Sequence, residues 1–106
     1  MPVRVDAAEA TTWLAPRLAS AHPGVATVVF HSVVRQYLGD AEATRLESLL
    51  VDAGARASAS APLAWLRMEP GQSAMDVRLT TWPGGSERLV ATAGAHGPPV
   101  RWQYSP

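Results

Sequence analysis

The sequence predicts an α/β fold: one mixed sheet, opened by a β-α-β unit and continued by antiparallel hairpins, packed against helices. Three observations predict it. An apolar, β-branched run occupies residues 25–34, and an amphipathic helical pattern over Asp40–Ala53 follows. Three strand-like runs then come in quick succession, Leu63–Glu69, Met75–Trp82 and Arg88–Ala93, divided only by Pro70-Gly71-Gln72-Ser73 and Pro83-Gly84-Gly85-Ser86. Gaps that short permit only antiparallel hairpins. The helix between Val34 and Leu63 instead allows a right-handed crossover between parallel strands.

Taken in chain order, residues 1–20 read as an N-terminal helical segment of a single small domain, 1–106. Asp6 with Glu9 three residues later has the form of a capping box. Ala10, Trp13, Leu14 and Leu18 then recur at helical spacing, with a kink or break expected near Ala15 because Pro16 follows. His22-Pro23-Gly24 is a turn. The run from Val25 to Val34 is apolar at successive positions as far as His31, which predicts a strand covered on both sides. Asp40 is placed to cap the next helix, Glu42 suits the positive end of its dipole, and Gly54 closes it. Its buried face is Leu46, Leu49, Leu50 and Ala53.

Composition narrows the function classes. The chain has 106 residues, 47% apolar and 17% charged, with a formal charge of zero, enough for one globular core. Its basic side chains are all arginine and form no cluster, which argues against a nucleic-acid backbone as partner. It has no cysteine, so disulfides, thiol nucleophiles and thiolate metal sites are excluded. The opening MPVRVDAAEA lacks a signal-peptide core, and no apolar run approaches a membrane span, so a soluble, cytoplasmic domain with no membrane partner is expected.

Candidate site residues gather where the first strand ends. In an open α/β sheet ligands bind beyond the carboxyl ends of parallel strands. His31 and Ser32 stand there, with Arg35, Gln36 and Tyr37 in the turn that follows. His31 can exchange a proton near neutrality; the alternative is a buried His-Ser pair whose hydrogen bonds tie strand to helix. His96 belongs to a turn-building His96-Gly97-Pro98-Pro99 segment, with a place on the ligand rim as its other reading, after which Val100 and Trp102 cover a sheet edge or a helix. Trp82-Pro83-Gly84-Gly85 is a hairpin turn, lacking the lysine, spacing and helix of a phosphate loop. Trp65 and Trp82 alternate as sheet-face packing, with a pocket for a flat ligand as the other reading. Arg67, Glu69, Asp76 and Arg78 read as cross-strand ion pairs. His22, His31 and His96 have no metal-ligand spacing, and no G-x-S-x-G elbow supports a hydrolase.

Four phrases in this order, HPGVATVVFHSVVRQYL, APLAWLRMEP, LTTWPGG and HGPPVRW, resemble the C-terminal part of the bacterial family catalogued as domain of unknown function 2332. The resemblance covers about residues 12–102. Members of that family are considerably longer and carry, earlier in the chain, an acidic-Gly-x-x-x-Gly segment that looks like the first loop of a class I methyltransferase. No such segment stands here. The resemblance therefore implies a carboxyl-terminal remnant, a split product or a truncated gene. It also implies the C-terminal half of a methyltransferase-like Rossmann sheet, with an antiparallel strand inserted between its two predecessors and Arg88–Ala93 as an additional strand.

From these readings follows an incomplete methyltransferase-like module, not an enzyme on its own, that associates with another chain. The partner is a separately encoded N-terminal half or a second copy joined through the exposed edge of the first strand. No cofactor is expected in this chain, S-adenosylmethionine being reserved for longer relatives. Two alternatives stand beside it. One is the substrate-side half of an S-adenosylmethionine-dependent methyltransferase, with His31, Ser32 and Tyr37 orienting the acceptor. The other is a small ligand-binding or protein-interaction domain.

Overall fold

The computed structural model describes residues 9–103; the Asp6 end of the expected capping box lies outside them. Helix α1 (Ala10–Leu18) is followed by β1 (Thr27–Ser32), α2 (Arg35–Ala55), β2 (Leu63–Pro70), β3 (Met75–Trp82), β4 (Ser86–Gly94) and β5 (Gly97–Trp102). The five strands form one sheet in the order β1-β2-β3-β4-β5; β1 and β2 are parallel, and every later pair is antiparallel. The expected β-α-β unit and meander are therefore present. The inserted antiparallel strand is not. β1 bonds directly to β2, and β3 lies on the far side of β2, held there by the short hairpin across Gly71–Ala74.

Both helices lie on one side of the sheet. Leu14 and Leu18 of α1, Leu46, Leu50 and Ala53 of α2 and Leu63 of β2 make the buried cluster, with Val29, Leu38, Trp65 and Trp82 packed against it. α1 runs through Pro16 to Leu18 without the expected break. Pro16 has no N–H to give the Thr12 carbonyl, so the helix forgoes that one intrahelical bond without breaking. Trp13 leaves the expected apolar face and lies beneath the guanidinium of Arg17, 3.9 Å away. Thr11 is buried in its stead, donating to Glu42 of α2 over 2.7 Å. Arg56 Nη2 donates to the Leu18 carbonyl over 2.5 Å and so ties the two helices at the other end.

α2 includes a first turn, Arg35–Leu38, that the sequence reading left outside the helix. At Gly39, with φ of 77° that a side chain would resist and ψ of 162°, the backbone leaves helical geometry, and the main helix starts anew at Asp40, where the sequence reading begins it. Gly54 does not close it. That glycine sits inside the helix against Trp82, where a Cβ would meet the indole at 2.5 Å. The β3–β4 hairpin turn does need its glycines for conformation, Gly84 and Gly85 having φ of 110° and 68°.

β1 is the element the sequence misplaced. Among the described residues it lies at the sheet edge, and only its Val29 side faces the core. Val28 and Phe30 project from the opposite face, 60% and 62% exposed. Strand registers place Ala64, Leu66 and Met68 of β2, Val77 and Leu79 of β3, and Val100 and Trp102 of β5 on that same face. No described helix covers it, and Val100 and Trp102 are 64% and 69% exposed. β5 was not anticipated as a strand, because two prolines in Gly97–Trp102 read as breakers. They are accommodated because β5 is the opposite edge, where one row of N–H groups has no ladder to join.

Candidate functional site

Beyond the carboxyl end of β1 the helix-side face of the sheet turns from apolar to charged. Thr27, Val29 and His31 on β1 align with Leu63, Trp65 and Arg67 on β2, so the strand that contributes core at one end contributes polar groups at the other. A cleft of about 280 Å³ opens there between α2 and the sheet, lined by His31, Arg35, Ala43, Leu46, Glu47, Trp65, Arg67, Glu69, Pro70, Asp76, Arg78 and Glu87.

Glu69 organises its inner end. One carboxylate oxygen accepts the backbone N–H groups of Val34 and Arg35, at 3.2 and 3.3 Å, and so caps α2 from across the sheet. Both the unpaired donors and the positive end of the helix dipole favour a carboxylate at that place. The same oxygen lies 2.8 Å from His31 Nδ1. On the other side of the ring, the Trp65 indole donates to His31 Nε2 over 3.0 Å. An indole N–H only donates, so Nε2 carries the lone pair and the imidazole proton sits on Nδ1, toward Glu69. The Nδ1 approach is close but off the line of a hydrogen bond; Nδ1 and the second Glu69 oxygen are buried without an aligned partner. Neither ring nitrogen is presented to the cleft.

This junction also holds a strained residue. Val33, between β1 and α2, has φ of 52°, in the left-handed region that a β-branched side chain strongly disfavours. Its N–H bonds to the Met68 carbonyl over 2.9 Å, and Glu69 fixes the next two amides. The strand-to-helix turn is thus clamped on both sides by β2.

The outer end is an ion network. The expected cross-strand ion pairs do not form, because the register sets like against like: Arg67 stands opposite Arg78, and Glu69 opposite Asp76. Charge is balanced by other routes. Arg78 reaches Asp76 on its own strand at 3.3 Å, and Glu87 of β4 pairs with Arg67 and lies 3.9 Å from Arg78. Arg67 also donates to Thr80 Oγ1 over 3.1 Å and stacks its guanidinium 3.9 Å over the Trp65 ring. Burial lowers the pKa of Arg67 from its ordinary value, the nearby Glu87 carboxylate opposes that, and the group stays charged.

Of the candidate ligand-rim residues read from sequence, His31 and Arg35 line this cleft, as do Trp65 and the four charged residues read as ion pairs. Ser32 points to the opposite face of β1. Gln36 and Tyr37 are exposed on the first turn of α2, and His96 lies in the β4–β5 turn, at the same end of the sheet but four strands from β1. Sequence reasoning missed Glu69 as the partner of His31 and Glu87 as the partner of Arg67. The signal for Glu69 was the alternation Trp65-Arg67-Glu69, which places it on the His31 face once β1 and β2 are paired in register.

Among the described residues no helix is long and apolar enough to cross a membrane. Neither the curated proteins nor the solved structures contain a match to the chain. One family model does match, over residues 1–102, and its description reads "uncharacterized protein conserved in bacteria". With nearly its whole length matched, the chain belongs to the bacterial family catalogued as domain of unknown function 2332.

Proposed function

We propose that this chain is an association module, an incomplete α/β unit that works by joining another polypeptide rather than by catalysis alone. The observation that carries this reading is the contrast between the two faces of one sheet among the described residues. On the helix side, where β3 to β5 extend past α2, the side chains are mostly polar, Asp76, Arg78, Glu87, Thr92 and Arg101 with Leu89 among them, as suits a wet surface. On the other side, Val28, Phe30, Leu66, Met68, Val77, Leu79, Val100 and Trp102 are apolar, with Met75, Ala91 and Ala93 buried among them and polar Thr81, Ser86 and Arg88 at one end. Strands that alternate polar with apolar residues put one face in water and build the other to be covered.

The cover is a second copy. Two such faces stack about 10 Å apart, as in a sandwich, and a twofold arrangement makes the patch its own complement. The test is light scattering and sedimentation of the purified chain and of Leu66→Lys. Loss of association in the variant, with an unchanged circular dichroism spectrum, supports the reading. A wild type that stays monomeric at its highest attainable concentration sinks it.

The position of the cleft favours a second reading, a small-ligand or substrate-side site, since it lies beyond the carboxyl ends of the two parallel strands. S-adenosylmethionine, proposed for longer relatives, is the first ligand to try. At a hundred times its dissociation constant a ligand adds about 2.7 kcal/mol, which for a domain this small raises the melting midpoint by roughly 10 °C or more. The association reading expects no shift.

A further inference from the structure

We infer that the edge of β1 that no described strand occupies pairs antiparallel with the same edge of a second copy, about a twofold axis perpendicular to the sheet. The inference rests on the reading that the chain associates with copies of itself, but it uses a different surface, the edge rather than the face.

The backbone directions come first. Thr27 N–H bonds to the Pro62 carbonyl at 3.0 Å, and Val33 N–H to the Met68 carbonyl at 2.9 Å. Between them the β1–β2 register is unbroken. Odd-numbered residues of β1 therefore turn their N–H and C=O groups to β2, and Val28, Phe30 and Ser32 turn theirs to the free edge.

The two edges of this sheet are treated differently. β5 carries Pro98 and Pro99, a charged Arg101 and an irregularity at Ala93/Gly94, all features that blunt an edge against pairing. β1, Thr-Val-Val-Phe-His-Ser, has no proline, no lysine, arginine or carboxylate, and no bulge. An unprotected, β-branched edge pairs with another strand.

Self-pairing is what the chain's own chemistry selects. β1 against β5 of a neighbour would meet the prolines, which closes off the head-to-tail route to filaments. β1 against β1, centred on Phe30, uses all three outward residues: Phe30 meets the second copy's Phe30, and Val28 meets the second copy's Ser32. No like charges face each other. The axis leaves both apolar faces on one side of a continuous sheet, so edge pairing and face stacking together close into a tetramer with two kinds of twofold interface.

The test is the oligomeric state of wild type, Val28→Pro and Leu66→Lys, read with amide exchange. Proline at position 28 removes an N–H that β2 does not use. The expected result is a wild-type tetramer, with either variant leaving a dimer. In the wild type, amides of Val28 and Phe30 should exchange about tenfold or more slowly at high concentration than on dilution, while those of Val29 and His31 stay protected throughout. A Val28→Pro chain that still forms the tetramer overturns the edge inference and leaves the face reading standing. So does a wild-type dimer that Leu66→Lys dissociates, or unprotected Val28 and Phe30 amides at every concentration, a readout that holds if the proline variant fails to fold. A wild-type dimer dissociated by Val28→Pro but not by Leu66→Lys supports the edge and overturns the face. A monomeric wild type overturns both.

Discussion

Arg67 and Arg78 stand directly opposite each other on β2 and β3, and the carboxylate of Glu87, from a third strand, sits between their charges. Opposed like charges destabilise a strand pair, so Glu87 matters more than a half-exposed surface carboxylate ordinarily would. Glu87→Gln should lower stability by about 1 kcal/mol. Added salt should recover part of that loss, as should Arg78→Gln in the same chain. Urea unfolding of the two singles and the double closes the cycle; simple additivity would show that Glu87 does not couple the two arginines.

Glu69 performs three tasks with one oxygen, capping Val34 and Arg35 and approaching His31. Removing it leaves helix donors unpaired beside a strained turn. Glu69→Ala should cost about 1–3 kcal/mol, and Glu69→Gln less, because an amide oxygen still accepts both N–H groups. Hydrogen exchange gives the local signature: the Val34 and Arg35 amides should lose protection before those of residues 46–53.

Gly54 invites a mistaken improvement. Alanine is the better helix former by about 1 kcal/mol, yet its Cβ would meet the Trp82 ring at 2.5 Å. Overpacking of that kind typically costs about 1–3 kcal/mol. The melting midpoint of Gly54→Ala should therefore fall, by several degrees; a rise would mean that the α2–Trp82 contact yields easily.

Val33 offers the opposite case. A left-handed β-branched residue carries roughly 1–2 kcal/mol of strain, more than the entropy glycine loses on folding. Val33→Gly should raise stability by up to about 1 kcal/mol, whereas Val29→Gly, in extended backbone packed against the core, should lower it. Chemical denaturation of the pair checks the sign of each.

The meander was the most legible part of the chain. Leu63, Met75 and Trp82 bound their strands as the turn residues between them indicate, since hairpins are specified by neighbours in sequence. β1 was legible as a strand but not as an edge. Val28 and Phe30 read as buried because an apolar side chain looks the same whether its cover lies in the same chain or not. β5 escaped notice because Pro98 and Pro99 signal a break unless one knows that the strand lies outermost. The site was half visible: His31 followed from its place at a strand end. Its tie to Glu69 depends on the register of two strands joined through a whole helix, and no local pattern states that register. For Arg67 and Arg78 the local pattern misled, because alternating charges on adjacent strands suggest pairs that the register sets out of step.

The parallel pairing of β1 with β2 has a consequence for the order of assembly. β2 to β5 meet the strands next to them in sequence, and such contacts close at little entropic cost. β1 must wait for the intervening helix to wrap before it can dock. The folding nucleus of the sheet thus lies toward the carboxyl-terminal end, and during synthesis the sheet has nothing to condense upon until β2 and β3 have both left the ribosome.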